Sequence, residues 1–204
     1  MMEQLTGKTL IILLHEIYGV NDHIAYYRQR FEEQGHEVLT PNLLGRAPFA
    51  YGEEAAAYSY FINEVGFDAS AREVRGLIEA NRQQYNAILL AGFSVGATVA
   101  WMCSGSGGLD GIIGFYGSRI RNYADIKPCC PALLYFASEE PFDVPGLARQ
   151  LRETERTRVE VIAAGHGFMN PFHPSYLPEQ AEACMTGCSE FLRQEKRTLP
   201  RAAK

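Results

Sequence analysis

The sequence has no long hydrophobic run near its start. The apolar run found there, Leu10 to Leu14, has only five residues. A run of this length is shorter than the core of a secretory signal or a membrane span. Acidic Glu3 also stands where a signal peptide would carry basic residues. We therefore expect a cytoplasmic protein with no membrane segment.

An excess of basic charge is also missing, since the formal net charge is −5. Nucleic-acid binders normally present a basic face, so we expect no nucleic-acid partner. The five cysteines include no C-x-x-C pair, and no set of residues with zinc-ligand spacing is present. The glycines do not form a G-x-G-x-x-G dinucleotide-binding motif. The sequence predicts neither a metal nor a cofactor.

What the chain does have is 204 residues with 47% hydrophobic composition, enough for a substantial core. It contains no internal repeat, and no stretch rich in proline, glycine and serine divides it. We therefore expect a single domain over residues 1–204. Its core should span about 8–193, and 196–204 should form a flexible tail.

Short apolar runs alternate with amphipathic stretches along the chain. Runs of strand length occupy residues 8–15, 36–44, 87–93, 111–116, 131–137 and 159–164. Helical patterns occupy residues 23–35, 67–84, 144–155 and 178–195. Apolar strands that alternate with helices predict an α/β fold, with a doubly wound, mostly parallel sheet covered on both faces. Residues 47–66 are the least patterned and predict either a cap over a site or a long packed loop.

Gly92-Phe93-Ser94-Val95-Gly96 has the pattern G-x-S-x-G and lies between a predicted strand and a helix-compatible segment. This is the context of a nucleophile elbow, in which a strained turn lifts the serine hydroxyl off the strand end. Glycines on both sides allow strand and helix to approach closely, and the helix N-terminus offers N–H groups to an oxyanion. The motif predicts Ser94 as a nucleophile, the alternative being a glycine-rich turn with an incidental serine.

A serine nucleophile needs a general base and an acidic residue that orients it. In a fold of this kind the chain order is serine, acid, histidine. His166 lies 72 residues after Ser94, in a glycine-flanked loop that follows a predicted strand. The loop after strand 131–137 offers three acids, among which the pattern alone does not choose: Glu139, Glu140 and Asp143.

The oxyanion hole of such a fold takes one N–H from the residue after the nucleophile, here Val95. The second N–H comes from the loop after an early strand, here Ile17. The segments HEIYGVN (15–21), GFSVG (92–96) and AGHGF (164–168) together resemble the dienelactone hydrolase family of α/β-hydrolases. The resemblance runs from about residue 8 to 193. It implies a single-domain α/β-hydrolase that acts on a small-molecule ester or lactone without a cofactor.

The resemblance favours Glu140 as the acid of the triad, with Asp143 as the alternative if the alignment gap moves. Glu16 matches a family glutamate that contacts the nucleophile. The best-known members carry cysteine where this chain has Ser94. Because serine has no useful anionic form near neutral pH, it must rely on His166 as its base.

The dienelactone-specific members carry an arginine after the HGF motif, where this chain has Met169-Asn170. This difference argues against dienelactone itself as the substrate. Arg119 and Arg121 are candidate replacements for that arginine, although the sequence does not place them at the site.

The sequence thus predicts a serine hydrolase that cleaves a carboxylic ester or lactone through an acyl-enzyme on Ser94. The mostly apolar predicted pocket favours a small uncharged ester, and its walls are Glu16, Tyr18, Phe93, Tyr116, Phe168 and Met169. One alternative is a thioesterase or acyl transferase with the same triad. The other is a non-catalytic binding module of the same fold. The oligomeric state is left open.

Overall fold

The computed structural model describes residues 6–198, which fold around one parallel sheet of six strands. The strands are β1 (Thr6–Leu14), β2 (Glu37–Leu39), β3 (Tyr85–Phe93), β4 (Gly111–Phe115), β5 (Ala132–Ala137) and β6 (Thr157–Ile162). They lie in the order β2-β1-β3-β4-β5-β6, and every neighbouring pair is parallel. The predicted parallel α/β sheet is confirmed.

Six helices connect or follow the strands within the described residues. They are α1 (Asp22–Glu33), α2 (Glu54–Tyr60), α3 (Phe67–Asn81), α4 (Val95–Ser104), α5 (Val144–Arg152) and α6 (Pro178–Thr198). Short 3₁₀ turns at Tyr51–Glu53 and Ser118–Asn122 and a π turn at Phe61–Val65 supplement them. The α1 helix begins at an Asn21 cap whose side chain accepts a hydrogen bond from the Ile24 N–H.

Successive side chains of each strand enter opposite halves of the core, because side chains alternate across a sheet. From β1, Leu10, Ile12 and Leu14 pack with residues of α3, α4 and α5. Ile11 and Leu13 pack on the other face with residues of α1 and α6. Burial on both faces explains why the strands are continuous apolar runs, and it confirms the doubly wound arrangement.

Two segments differ from the sequence-based boundaries. The second strand was expected over 36–44, but β2 ends at Leu39; two residues on, Pro41 has no N–H to donate to a neighbouring strand. The least patterned segment, 47–66, is largely helical, and its Phe61 is fully buried with Ile17 and Val95.

The last helix, α6, extends to Thr198 and therefore includes the first three residues of the expected tail. The rest of that tail, residues 199–204, lies outside the described residues. Within residues 6–198, no helix has both the length and the apolar composition needed to cross a bilayer.

Candidate active site

The nucleophile elbow forms where β3 meets α4. Ser94 has φ 52° and ψ −113°, a conformation that L residues rarely adopt. A Cβ on Gly92 would lie 2.5 Å from the Gly96 carbonyl, and one on Gly96 would lie 2.6 Å from the Leu14 carbonyl oxygen. Since both contacts are with backbone atoms, only glycine fits at either position. The G-x-S-x-G spacing thus allows a strained serine at the junction of strand and helix.

Ser94 is the first member of a hydrogen-bonded line of three side chains. Its Oγ lies 2.9 Å from Nε2 of His166, and Nδ1 of the same ring lies 2.5 Å from Oε1 of Glu140. A carboxylate only accepts hydrogen bonds, so Nδ1 carries the proton and Nε2 is free to accept from the serine hydroxyl. This is the arrangement in which an imidazole can remove a proton from a serine.

The three residues meet because parallel strands end at one edge of the sheet. Ser94 follows β3, the loop with Glu140 follows β5, and the loop with His166 follows β6. The positive φ of Gly167, 87°, turns the chain directly after the histidine. These segments are far apart in sequence and become neighbours only in the folded sheet.

Of the three acids that the sequence offers, the structure brings Glu140 to the histidine. Asp143 instead caps α5, where its Oδ1 accepts a hydrogen bond of 2.9 Å from the Gly146 N–H. Glu139 is exposed and lines the cleft beside the triad. The Glu140 side chain is only 7% exposed, which strengthens its interaction with the ring of His166.

The electrostatic surroundings of His166 favour proton uptake. Burial by itself would lower the pKa of the ring, because it disfavours the charged form. The hydrogen bond to Glu140 and the negative charges of Glu140, Glu16 and Glu54 outweigh burial and raise the pKa above its ordinary value. The ring is therefore a stronger base than a free histidine.

The two residues predicted to supply oxyanion N–H groups line the same cleft as Ser94. Val95 is the first residue of α4, so its N–H has no acceptor within the helix. Ile17 follows the end of β1 and lines the same cleft as Ser94 and Val95. Gly96 allows the start of α4 to approach the end of β1 closely, as its contact with the Leu14 carbonyl shows.

A serine, an acid and a histidine in this chain order on a parallel α/β sheet are typical of α/β-hydrolases. The sequence model of the dienelactone hydrolase family matches residues 3–196. The chain belongs to the dienelactone hydrolase family. As a member of this family it is a hydrolase that acts on ester or lactone bonds.

Relatives of this family member range from moderately to distantly similar. The uncharacterized protein YczH of Bacillus subtilis (strain 168) is 42% identical over 168 residues, which are 80% of this chain and 82% of the relative. The carboxymethylenebutenolidase of Pseudomonas putida is 24% identical over 156 residues, 70% of this chain and 64% of that enzyme. The crystal structure of the dienelactone hydrolase-like promiscuous phosphotriesterase P91, from metagenomic libraries, has a TM-score of 0.75 at 16% identity. The structural match covers 94% of this chain and 89% of the P91 chain. The structural likeness shows the fold.

Glu16 lies in an internal network of this dienelactone hydrolase family member. Its Oε2 accepts a hydrogen bond of 3.0 Å from Nδ2 of Asn170 and lies 3.2 Å from Nδ1 of His23. Burial favours the neutral acid, but interactions with His23, and to a smaller extent with His166 and Tyr116, outweigh burial and lower the pKa of Glu16 to about 2. The contact between this glutamate and the nucleophile that the resemblance implies stays a prediction.

The predicted pocket walls require a correction. Four of the six residues are fully buried in the core between the sheet, α1 and α6, and do not line the cleft at Ser94: Phe93, Tyr116, Phe168 and Met169. Tyr18 packs with Leu44 in a separate buried cluster, and Glu16 is the buried carboxylate described above. Tyr116 nevertheless lies directly behind the site, since its ring centroid is 4.9 Å from that of His166.

The cleft that contains the triad is more polar than expected and has a volume of about 610 Å³. Its walls come from α2, the 3₁₀ turn at Ser118–Asn122 and the loops after β5 and β6, and they include Glu54, Tyr58, Ser118, Arg119, Arg121, Phe142 and His173. The two arginines that the sequence could not place are therefore at the site. Sequence reasoning missed the other wall residues because no local pattern marks them.

The part of the chain that the structure describes has no cluster of three or more His, Cys, Asp or Glu side chains suited to a metal ion. In that part of the chain four cysteines are buried, and Cys129 is exposed.

Proposed function

We propose that the protein is a serine hydrolase that cleaves a carboxylic ester or lactone through an acyl-enzyme on Ser94. The observation that carries this proposal is the continuous line of hydrogen bonds from Glu140 through His166 to Ser94. A hydroxyl is a weak nucleophile at its free pKa, and an adjacent oriented base is what activates it. Membership in the dienelactone hydrolase family supports the same reaction class.

In the proposed reaction, Ser94 Oγ attacks the carbonyl carbon while Nε2 of His166 takes the hydroxyl proton. Glu140 stabilises the resulting imidazolium through Nδ1. The N–H groups of Val95 and Ile17 bind the negative oxygen of the tetrahedral intermediate, a contribution worth about 3–4 kcal/mol per donor in comparable enzymes. The proton on His166 passes to the leaving alcohol, and the ester bond breaks.

Water then enters and gives a proton to His166 as its oxygen attacks the acyl carbon. Collapse of the second tetrahedral intermediate releases the acid and returns the proton to Ser94. A lactone follows the same path, except that its leaving alcohol stays attached to the acyl group. A thioesterase or acyl transferase would use the same three residues, so acyl-CoA turnover should be measured beside ester turnover.

The direct test is Ser94→Ala with Ser106→Ala as the matched control, because Ser106 follows α4 and does not line the cleft. Loss of the nucleophile should lower kcat for p-nitrophenyl acetate by about 10⁴-fold or more. The control should keep its kcat and the melting temperature of the parent. A fluorophosphonate should label the parent on Ser94, as located by mass spectrometry. Full activity in Ser94→Ala would refute the proposal, and absence of label and of ester turnover in the parent would favour a binding module.

A further inference from the structure

His15 is a fully buried histidine directly after β1, next to the loop that carries Ile17. Both of its ring nitrogens have backbone partners. Nδ1 lies 2.6 Å from the carbonyl oxygen of Glu16, and Nε2 lies 3.0 Å from the backbone nitrogen of Leu43. The ring therefore joins the loop after β1 to the segment that follows β2.

These partners fix the proton on the His15 ring. The Leu43 N–H can only donate, so Nε2 must accept and cannot carry a proton. Nδ1 then carries the proton and donates it to the Glu16 carbonyl, which can only accept. Burial disfavours a charged ring at this position and lowers the pKa of His15, in agreement with this neutral form.

The Glu16 carbonyl belongs to the same peptide unit as the Ile17 N–H. This peptide is trans, so its C=O and N–H point in opposite directions within one plane. The Gly19 N–H also donates to the Glu16 oxygen, at 3.2 Å, from a tight turn in which Gly19 has φ 88°. Two donors thus hold one end of the peptide unit whose other end is the proposed oxyanion donor.

We propose that His15 is a positioning residue for catalysis: it holds the Glu16–Ile17 peptide so that the Ile17 N–H is directed at the oxyanion. This inference rests on the proposed function and adds a residue that does not itself line the cleft. The close approach of Gly96 to the carbonyls of Leu14 and His15 keeps that peptide beside the start of α4. Preorganised donors are effective because they need no reorientation during the reaction.

Two conservative variants separate this role from a purely structural one. In His15→Asn, the amide nitrogen can occupy the place of Nδ1 and still donate to the Glu16 carbonyl, but nothing replaces Nε2. In His15→Gln, the amide oxygen can occupy the place of Nε2 and accept from Leu43, but the donor to Glu16 is lost. A positioning role predicts rescue by asparagine, and a loop-joining role predicts rescue by glutamine.

We expect His15→Gln to lower kcat for p-nitrophenyl acetate by about 10- to 100-fold, with KM within about twofold of the parent. Removal of an oxyanion donor lowers kcat by about 10²- to 10³-fold, and in this variant the donor remains but points in the wrong direction. His15→Asn should keep kcat within about fivefold of the parent, a smaller loss than in His15→Gln. A trifluoromethyl ketone, which forms a tetrahedral oxyanion on the serine, should lose affinity in His15→Gln in parallel with kcat. Thr9→Val, which changes another buried polar residue of β1, is the matched control and should leave kcat and KM unchanged.

The opposite ranking, with His15→Gln active and His15→Asn impaired, would overturn the inference. A rise in KM without a fall in kcat in His15→Gln would also overturn it, and so would an unchanged affinity of this variant for the ketone. A measurement on the parent does not depend on the variants folding: ¹⁵N NMR of the ring should show a proton on Nδ1 and a bare Nε2 between pH 6 and 8. A proton on Nε2 would refute the inference. If the parent itself failed to hydrolyse esters or to be labelled on Ser94, the proposed function would fail instead.

Discussion

Glu140 gives a sharp test of the proposed triad, because its charge can be removed with little change in shape. Nδ1 of His166 lies 2.5 Å from the carboxylate oxygen of Glu140. In Glu140→Gln, the side-chain amide takes the place of that carboxylate and faces Nδ1. If the amide oxygen faces the ring, the tautomer is kept and only the charge that stabilises the imidazolium is lost. If the NH₂ group faces the ring, Nδ1 must accept, the ring proton moves to Nε2, and Ser94 loses its base.

These two cases set the limits of the expected loss in Glu140→Gln. Hydrogen bonds to charged groups contribute about 1.5–3 kcal/mol, which corresponds to about 10- to 150-fold in rate. The wrong tautomer costs about 10⁴-fold in the corresponding aspartate variant of a serine protease. We therefore expect kcat for p-nitrophenyl acetate to fall by about 10- to 10⁴-fold, with KM changed by less than about threefold.

Asp143→Asn is the matched control for this variant. It makes the same chemical change three residues later, and asparagine can keep the capping hydrogen bond to the Gly146 N–H. Its kcat should stay within about twofold of the parent, and its melting temperature within about 2 °C. The assignment of the acid is wrong if Glu140→Gln retains most of its kcat, or if Asp143→Asn loses as much as Glu140→Gln does.

Two further predictions concern pH and substrate charge. Burial lowers the pKa of His166, but Glu140 and the other carboxylates raise it by more, so the pKa lies above the ordinary 6.5. Because the protonated ring cannot act as a base, kcat/KM should fall as the pH drops through that pKa. In Glu140→Gln the inflection should move to lower pH, and an unchanged inflection would contradict the assignment. Arg119 and Arg121 line the cleft, and neither forms an ion pair with a carboxylate within residues 6–198. Replacing both by glutamine should lower kcat/KM about tenfold for p-nitrophenyl hydrogen succinate, whose free carboxylate is negatively charged. For the neutral p-nitrophenyl butyrate, kcat/KM should fall less than about twofold. Equal losses on both esters would refute a role of the two arginines in charge recognition.

Much of the fold could be predicted because burial on both faces leaves a direct trace in the sequence. In β1, Ile11 and Ile12 point to opposite halves of the core, so apolar residues follow one another without the alternation of a half-exposed strand. The edge strand β2 was predicted too long because apolar residues recur beyond Leu39, at Leu43 and Leu44. Only the fold shows that its pairing with β1 stops at Leu39.

The meeting of Ser94, Glu140 and His166 was also accessible to prediction, because each follows a predicted strand and parallel strands end at one edge. The pocket walls were not, because closeness in sequence to a site residue does not determine which way a side chain points. Phe93 immediately precedes Ser94, yet strand alternation turns it into the core, where its ring stacks on Phe115 at 4.9 Å. Arg119 reaches the cleft from a turn 25 residues downstream of the nucleophile, and no local pattern links the two.

The partners of Glu16 show why a serine at position 94 has to depend on histidine. A general base must take up a proton near the working pH, and the pKa of Glu16, about 2, makes its carboxylate too weak a base. The same carboxylate already accepts a hydrogen bond from Asn170. His166 has a raised pKa and lies 2.9 Å from the hydroxyl. In the proposed mechanism the serine proton therefore goes to His166, and the negative charge of Glu16 contributes to the raised pKa of that histidine.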